Sequence, residues 1–297
     1  MNGILPLWKP RGMTSHDCVV KIRRLYKTKK VGHTGTLDPE VEGVLPICIG
    51  QATKIVPFLT DTKKTYIGEV TLGKSTTTED DQGESVELKQ VDKVFSKQEI
   101  ENVLKSFEGT ITQIPPMYSA VKVNGKKLYE YARNNETVER PKREVTIYDL
   151  MLLSLDSEQH RVKLQVVCSK GTYIRTLCVD IGKKLGFPAH MSDLIRTQTG
   201  SIEKEDTFDF RTIEKAVENG KEKDLLLPLV RGIDHLDILS VDEATKNRVI
   251  VGQKLERPNK VFTTDPFVVM YEQQLLAIYQ IHPEKPNQIK PVRVFNT

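Results

Sequence analysis

The apolar positions of the chain change period several times, and each change marks an element. From Ser15 to about Lys27, Cys18, Val19, Ile22, Leu25 and Tyr26 share one side of a 3.6-residue repeat and the basic residues take the other. This predicts an amphipathic helix with Ser15 as its N-cap. "ILPLW" (Ile4 to Trp8) reads as a short strand, and "VLPICI" (Val44 to Ile49), which has no charged position, as a buried one. A short helix is expected around Ala52 to Leu59. "KTYIGEVTLG" alternates, with Tyr66, Gly68, Val70 and Leu72 on one face and Thr65, Ile67, Glu69 and Thr71 on the other, as a half-buried strand does. The threonine-rich, acidic "KSTTTEDDQGES" that follows reads as a loop or hairpin tip.

Local turn and cap chemistry sharpens the second half of the pattern. Ser96 and Glu99 form a capping box ahead of a helix that turns Ile100, Val103, Leu104 and Phe107 inward. Asn124-Gly125 is a hairpin signal, followed by a helix from about Leu128 to Arg133 and strands over Val145 to Leu155 and Arg161 to Cys168. Ile174, Leu177, Cys178, Ile181 and Leu185 line one side of a further helix that Gly186 and Pro188 close. From about Leu236 the strand-like segments "FVVMYE", "LLAIYQIH" and "PVRVF" dominate, which predicts a small β-rich C-terminal domain. Helices and hairpins without a βαβ rhythm argue for an α+β fold.

Composition narrows the class. With 28% charged and 38% hydrophobic residues, the chain is expected to be soluble and globular. The apolar run at its start is broken at Pro6, too short for a secretory signal, and no run approaches the roughly 20 apolar residues of a membrane span. A cytoplasmic location is therefore expected. The four cysteines include no C-x-x-C pair and the six histidines no paired spacing, so neither disulfides nor a metal site is expected. The net charge is only +4, but Lys9, Arg11, Lys21, Arg23, Arg24, Lys27, Lys29 and Lys30 face a single acid, Asp17, over the first 31 residues. A second basic excess lies between Tyr118 and Arg143. Two basic surfaces suit a polyanion such as nucleic acid, and each alone also suits a solvated face.

The candidate chemistry sits in "GHTGTLDP" (Gly32 to Pro39). It lacks the G-x-x-x-x-G-K-[ST] order of a phosphate loop and does not fit G-x-G-x-x-G. Its glycines instead permit a tight path that presents His33 and Asp38. On the loop alone, Asp38-Pro39 reads equally as a turn initiator.

Taken in order, "LWKPRGMTS", "GHTGTLDP", "GVLP", "KTY", "IPPMYSAVKVNGKKLYEYAR", "CSKGTYIRTL" and "HMSDLIRTQTG" resemble the bacterial TruB family of tRNA pseudouridine-55 synthases over roughly the first 200 residues. The resemblance implies a pseudouridine synthase fold, α+β with a central mixed, mainly antiparallel sheet. It further implies a catalytic domain over residues 1–235 with an RNA-clamping insertion at about 114–146, and a PUA-like domain over 236–297. The implied activity is isomerisation of uridine-55 in the T loop of tRNA by a monomer, without a cofactor or metal.

By the same resemblance Asp38 is the catalytic carboxylate, Tyr66 the ring that stacks on the target base, and Arg175 the cation that pairs with Asp38. His33 enters the T loop in place of a flipped nucleotide. Leu194 and Tyr173 line the base site, and Lys9-Pro10 form a turn beside it. Lys122, Lys126, Lys127 and Arg133 become candidate phosphate contacts. Trp8, Val41 and Glu42 depart from the residues common in that family. Two alternatives remain in view: a non-catalytic tRNA-binding or RNA-folding protein of the same fold, and a glycoside hydrolase, for which Glu42 is the nearby second acid.

Overall fold

In the computed structural model, which describes residues 1–295, the chain forms two larger sheets. The first has nine strands. Its path runs Gly3–Lys9, Glu42–Ile49, Ala189–Thr199, Lys64–Leu72, Arg161–Cys168, Arg143–Asp156 and Gly109–Gln113. Val31–His33 and Ile202–Glu203 pair off this path. Every pairing is antiparallel except that of Glu42–Ile49 with Ala189–Thr199, where Ile195 and Arg196 face Glu42 and Gly43. The sheet is thus mixed and mainly antiparallel.

The strand Glu42–Ile49 carries an unbroken apolar run because both its faces are covered. Val44 and Cys48 pack with Ile4, Ile55 and Leu59, whereas Leu45, Ile47 and Ile49 pack with Val19 and Ile22 of the helix Ser15–Leu25. Lys64–Leu72, on the far side of Ala189–Thr199, alternates because one face lies on the helix Ile174–Leu185, through Val70, Leu72, Ile174, Leu177 and Ile181. Each such aliphatic side chain stabilises the fold by about 1.5–3 kcal/mol when fully buried. Gly43 permits the parallel contact. Its φ is +131°, and a Cβ there would lie 2.2 Å from the Arg196 carbonyl oxygen. The loop strand and the strand bearing Arg196 could not approach so closely with another residue at 43.

The local signals match the observed elements closely. The helix Lys97–Lys105 starts on the Ser96/Glu99 box, and Asn124 and Gly125 take φ +52° and +81° between Lys122–Val123 and Lys126–Lys127. Helix Leu128–Arg133 follows directly, and Ile174–Leu185 ends on Gly186 at φ +89°. All four cysteines are buried free thiols.

One expectation is corrected. The first helix is capped by Thr14, whose side chain accepts from Asp17 N while Thr14 N donates to the Asp17 carboxylate, and it ends at Leu25. Ser15 is already helical, and its hydroxyl is committed elsewhere: it accepts from Leu37 N at 2.9 Å and donates to Leu37 O at 3.2 Å. A cap needs extended backbone and a free acceptor, and Thr14 has both.

The second sheet has five strands in the order Ile238–Ser240, Phe267–Tyr271, Gln274–His282, Lys285–Val294 and Leu255–Glu256. Val268, Ile278 and Phe295 pack into the same cluster as Ile4, Val44 and Cys48. Lys54 Nζ donates to Val294 O at 2.6 Å across that contact.

Candidate active site

Asp38 stands at the first position of a tight turn, with Val41 N donating to Asp38 O at 3.1 Å and Pro39 at the second position. The turn-initiator reading of Asp38-Pro39 thus holds for the backbone and leaves the carboxylate free. Three sets of contacts fix this turn. Leu37, 4% exposed, is pinned by Ser15. Lys9 is wholly buried and donates to Pro10 O at 2.8 Å, Pro39 O at 3.0 Å and Val41 O at 2.7 Å. Gly12 N also donates to Pro39 O, at 2.9 Å. The structure therefore places Lys9 and Pro10 beneath the loop, where the ammonium holds backbone carbonyls, and away from the pocket lining. Burial pushes Lys9 below the usual lysine range.

The Asp38 carboxylate opens into a pocket of about 270 Å³ lined also by Tyr66, Tyr173, Arg175, Leu194 and Arg196. Arg175 Nε lies 3.1 Å from Asp38 Oδ2. Sequence positions 137 residues apart meet because Arg175 occupies the first turn of Ile174–Leu185, which packs on the face of Lys64–Leu72 beneath Tyr66. A cation at a helix N-terminus is disfavoured by the dipole, and here it is held by acceptors on every side. Arg175 Nη1 donates to Thr78 O at 3.0 Å, Nη2 donates to Tyr118 O at 2.9 Å, and Asp80 Oδ2 lies 3.8 Å from Nη1. The helix entry is itself clamped by Gln113, which accepts from Tyr173 N and donates to Tyr173 O.

Burial raises the Asp38 carboxyl above the usual aspartate range and Arg175 opposes that rise. The side chain nevertheless keeps 42% of its exposure, through the pocket mouth. Burial likewise raises the Tyr66 phenol, with the Arg196 charge beside it acting in the opposite direction. A carboxylate held by a guanidinium beneath an aromatic ring and Leu194 can act on a sugar carbon or a sugar proton while a flat base is held beside it.

Not every candidate converges. His33 ends the strand Val31–His33, is half-buried, and lines neither this pocket nor the adjoining one. Burial, and after it the Arg196 charge, push its imidazole below the usual histidine range. Arg133 does converge: it lines an adjoining cavity of about 650 Å³ together with Asp38, Arg175 and Leu194. Lys122 is exposed, Lys126 binds Glu136 at 2.6 Å, and Lys127 lies 5.3 Å from the Tyr129 ring, all outside both cavities. Two of the three departures meet each other: Trp8 Nε1 donates to Glu42 Oε2 at 3.2 Å, and Arg11 Nη2 pairs with Glu42 Oε1 at 3.2 Å. Glu42 is thereby ion-paired outside the pocket, which takes it out of place as a second acid beside Asp38.

Several site groups were not singled out in the sequence. Asp80 comes from the acidic loop after Lys74–Thr76, which turns back to bridge Met191 and places Thr78 O on Arg175. Its acidic cluster was visible, but nothing local shows that it folds inward. The Thr78 and Tyr118 carbonyls carry no side-chain signal at all. Arg196 and Lys64, 1% and 5% exposed, line the pocket although charged residues in strands ordinarily mark a solvent face. Among the described residues no cluster of three or more His, Cys, Asp or Glu could hold a metal ion.

Residues 23–174 match the family described as TruB family pseudouridylate synthase (N terminal domain), and residues 175–236 match the tRNA pseudouridylate synthase B C-terminal domain. The chain is 62% identical over 296 residues to the tRNA pseudouridine synthase B of Oceanobacillus iheyensis, covering 99% of this chain and 98% of that one. To the protein of the same name from Halalkalibacterium halodurans it is 53% identical over 298 residues, covering 99% and 97%. Among solved structures, one from a Cbf5-Nop10-Gar1 complex matches with a TM-score of 0.76 and 27% identity, covering 99% of this chain and 84% of the other.

Proposed function

The chain belongs to the TruB family of pseudouridylate synthases, and from that premise we propose that it isomerises uridine-55 in the T loop of tRNA to pseudouridine. The observation that carries the reading is the Arg175 Nε to Asp38 Oδ2 contact of 3.1 Å at a pocket shared with Tyr66 and Leu194. A protein that only bound or folded RNA would have no use for a partly desolvated carboxylate held by a buried guanidinium.

In this reading Asp38 acts as its carboxylate, which Arg175 keeps ionised and aimed against the effect of burial. Either an Asp38 oxygen bonds to the sugar C1′, or it takes the proton from C2′, while the N1–C1′ bond breaks with its electron pair on the base. C5 then bonds to C1′ as Asp38 either leaves C1′ or returns its proton to C2′, in both cases regaining its starting carboxylate, and the C5 proton is lost while N1 gains one. Tyr66 stacks on the base, and Leu194 and Tyr173 bound its site. His33 projects toward the RNA after the target nucleotide leaves the stack. Lys9 and Pro10 act at one remove, by fixing the turn that carries Asp38. Lys122, Lys126, Lys127 and Arg133, on the 114–146 insertion, meet phosphates.

The same reading assigns residues 1–235 to catalysis and 236–297 to a PUA-like domain, and places the protein in the cytoplasm as a monomer working without a metal or cofactor. Among the described residues no helix is long and apolar enough to cross a membrane. Incubation with an unmodified T-stem-loop transcript, followed by pseudouridine mapping, tests the proposal. Product at the single T-loop position is expected, and bound but unconverted RNA would point to a binding protein instead.

A further inference from the structure

Two buried arginines line the pocket, and they differ in their counter-charges. Arg175 is paired with Asp38 at 3.1 Å and faces Asp80 at 3.8 Å. Arg196, the bulkiest of the fully buried side chains, forms no ion pair to a carboxylate among the described residues. Its Nε donates to Val44 O at 2.8 Å and its Nη2 to Gly35 O at 3.2 Å, and the Tyr66 phenol also hydrogen-bonds it, so its partners are neutral dipoles. Nearby charge adds to its own. Lys64 also lines the pocket, with Nζ bound to the carbonyls of Thr60 and Thr62. Burial and then the Arg196 charge push that lysine down to about 8. Tyr66 lies directly across the strand pair from Arg196.

A buried guanidinium without a counter-ion is costly, and the fold keeps one beside a pocket whose occupant is neutral at rest. The proposed reaction changes that occupant. If Asp38 bonds to C1′, its carboxylate becomes a neutral ester. If it takes the C2′ proton, the C1′–C2′ double bond forms and the carboxylate becomes a neutral acid. Either way the N1–C1′ electron pair leaves with the base, and the unit of negative charge lost by Asp38 appears on the detached pyrimidine. Both routes therefore move charge from the group Arg175 holds to a ring lying where no acid offsets Arg196.

Resting on the proposed isomerase activity, we infer that Arg196 stabilises the negative charge of the detached pyrimidine, with Lys64 reinforcing it. The arginine is preorganised for this, because Val44 and Gly35 carbonyls fix its plane before any anion forms.

The test uses the full-length enzyme in single turnovers on two T-stem-loop RNAs, with uridine or 5-fluorouridine at the target. Fluorine withdraws electrons, so the departing fluorinated ring carries its charge with less help. Carbon–carbon bond formation at the target sugar is the readout for both RNAs, since fluorine prevents loss of a C5 proton. Arg196→Gln should lose roughly a hundredfold or more on the uridine RNA but less than about tenfold on the fluorinated RNA, with RNA affinity retained. Arg196→Lys, which keeps the charge, should recover most of the loss. Equal losses on both RNAs would assign Arg196 to the fold alone and overturn the inference. If Arg196→Gln does not fold, the unaltered enzyme decides. Rates on the two RNAs within about tenfold support a pocket that already carries the charge, and a roughly hundredfold preference for the fluorinated RNA refutes it. If the unaltered enzyme joins carbon to carbon on neither RNA, the assigned reaction itself fails, which is a different result from a variant-specific loss.

Discussion

The pocket with the turn beneath it and the 114–146 insertion carry the same kinds of cation in opposite settings. Lys9, Lys64, Arg175 and Arg196 are 0%, 5%, 6% and 1% exposed, and each is held by backbone carbonyls or an acid at fixed distances. On the insertion, Lys122 is exposed, while Lys126, Lys127 and Arg133 lie against tyrosine rings at 4.5, 5.3 and 5.2 Å. Water screens the second group and barely reaches the first. A buried cation therefore acts through one geometry. A surface cation acts through its contribution to a field, which salt can erase.

That contrast can be broken most severely at Asp38. Asp38→Asn should lower the single-turnover rate by roughly a thousandfold or more, while a filter-binding assay finds T-stem-loop affinity within about threefold. A variant that turned over normally would falsify the proposed mechanism.

Arg175→Met comes next, with a rate loss of roughly a hundredfold. Its pH profile gives the more specific reading. On the proposed mechanism activity requires the Asp38 carboxylate, whose pKa is raised by burial and, to a lesser degree, lowered by Arg175. Activity is therefore lost as pH falls through a value above the ordinary aspartate range. Removing Arg175 removes the opposing cause, so the acid limb should move to higher pH. An unmoved limb would show that Arg175 does not tune Asp38. The stability loss on denaturant unfolding should be about 1–3 kcal/mol, below that of a fully buried pair because the Asp38 side chain is 42% exposed.

Lys126→Ala with Lys127→Ala probes the other side of the comparison. Affinity at low salt should fall by about tenfold, and the slope of log K against log salt should shrink by roughly 1–2. The difference from the unaltered protein then fades as salt rises, and the rate of bound RNA stays unchanged. A constant loss at all salt concentrations would mean that these lysines shape the hairpin and do not meet phosphate.

The smallest effects separate two adjacent hydroxyls. Thr14→Ala should cost about 1 kcal/mol of stability with turnover preserved, since it removes only a helix cap. Ser15→Ala, which removes both bonds to Leu37, should cost about 1–2 kcal/mol and also slow turnover several-fold, because Leu37 precedes Asp38. Equal turnover in the two variants would leave the Asp38 turn independent of Ser15.

Much of the local architecture was legible along the chain. The Ser96/Glu99 box, the Asn124-Gly125 hairpin, the glycine-closed helix Ile174–Leu185 and the alternation of Lys64–Leu72 each depend on residues within a few positions of one another. Ser15 was misread for the same reason: as a local signal it resembles a cap, and its true partner is Leu37, 22 residues away. The candidate site was legible only in part. Asp38, Tyr66 and Arg175 were picked out by a family resemblance across separated motifs. Local Asp-Pro turn chemistry alone gives Asp38-Pro39 a turn, which it also is.

The sequence by itself determined the helices, strands and turns, the placement of apolar faces, and the identity of the side chains available for chemistry. Those properties follow from backbone preferences and hydrophobic periods that act over one or two turns of chain. Tertiary structure alone decided which charges meet. It set Arg175 against Asp38, turned the Asp80 loop inward, committed Lys9 to carbonyls, tied Trp8 to Glu42, and left Arg196 buried with no paired acid among the described residues. The physical reason is that a charge's effect depends on its distance from other charges and on how much water surrounds it. Both quantities are fixed only when strands and loops far apart in the chain close around a common pocket.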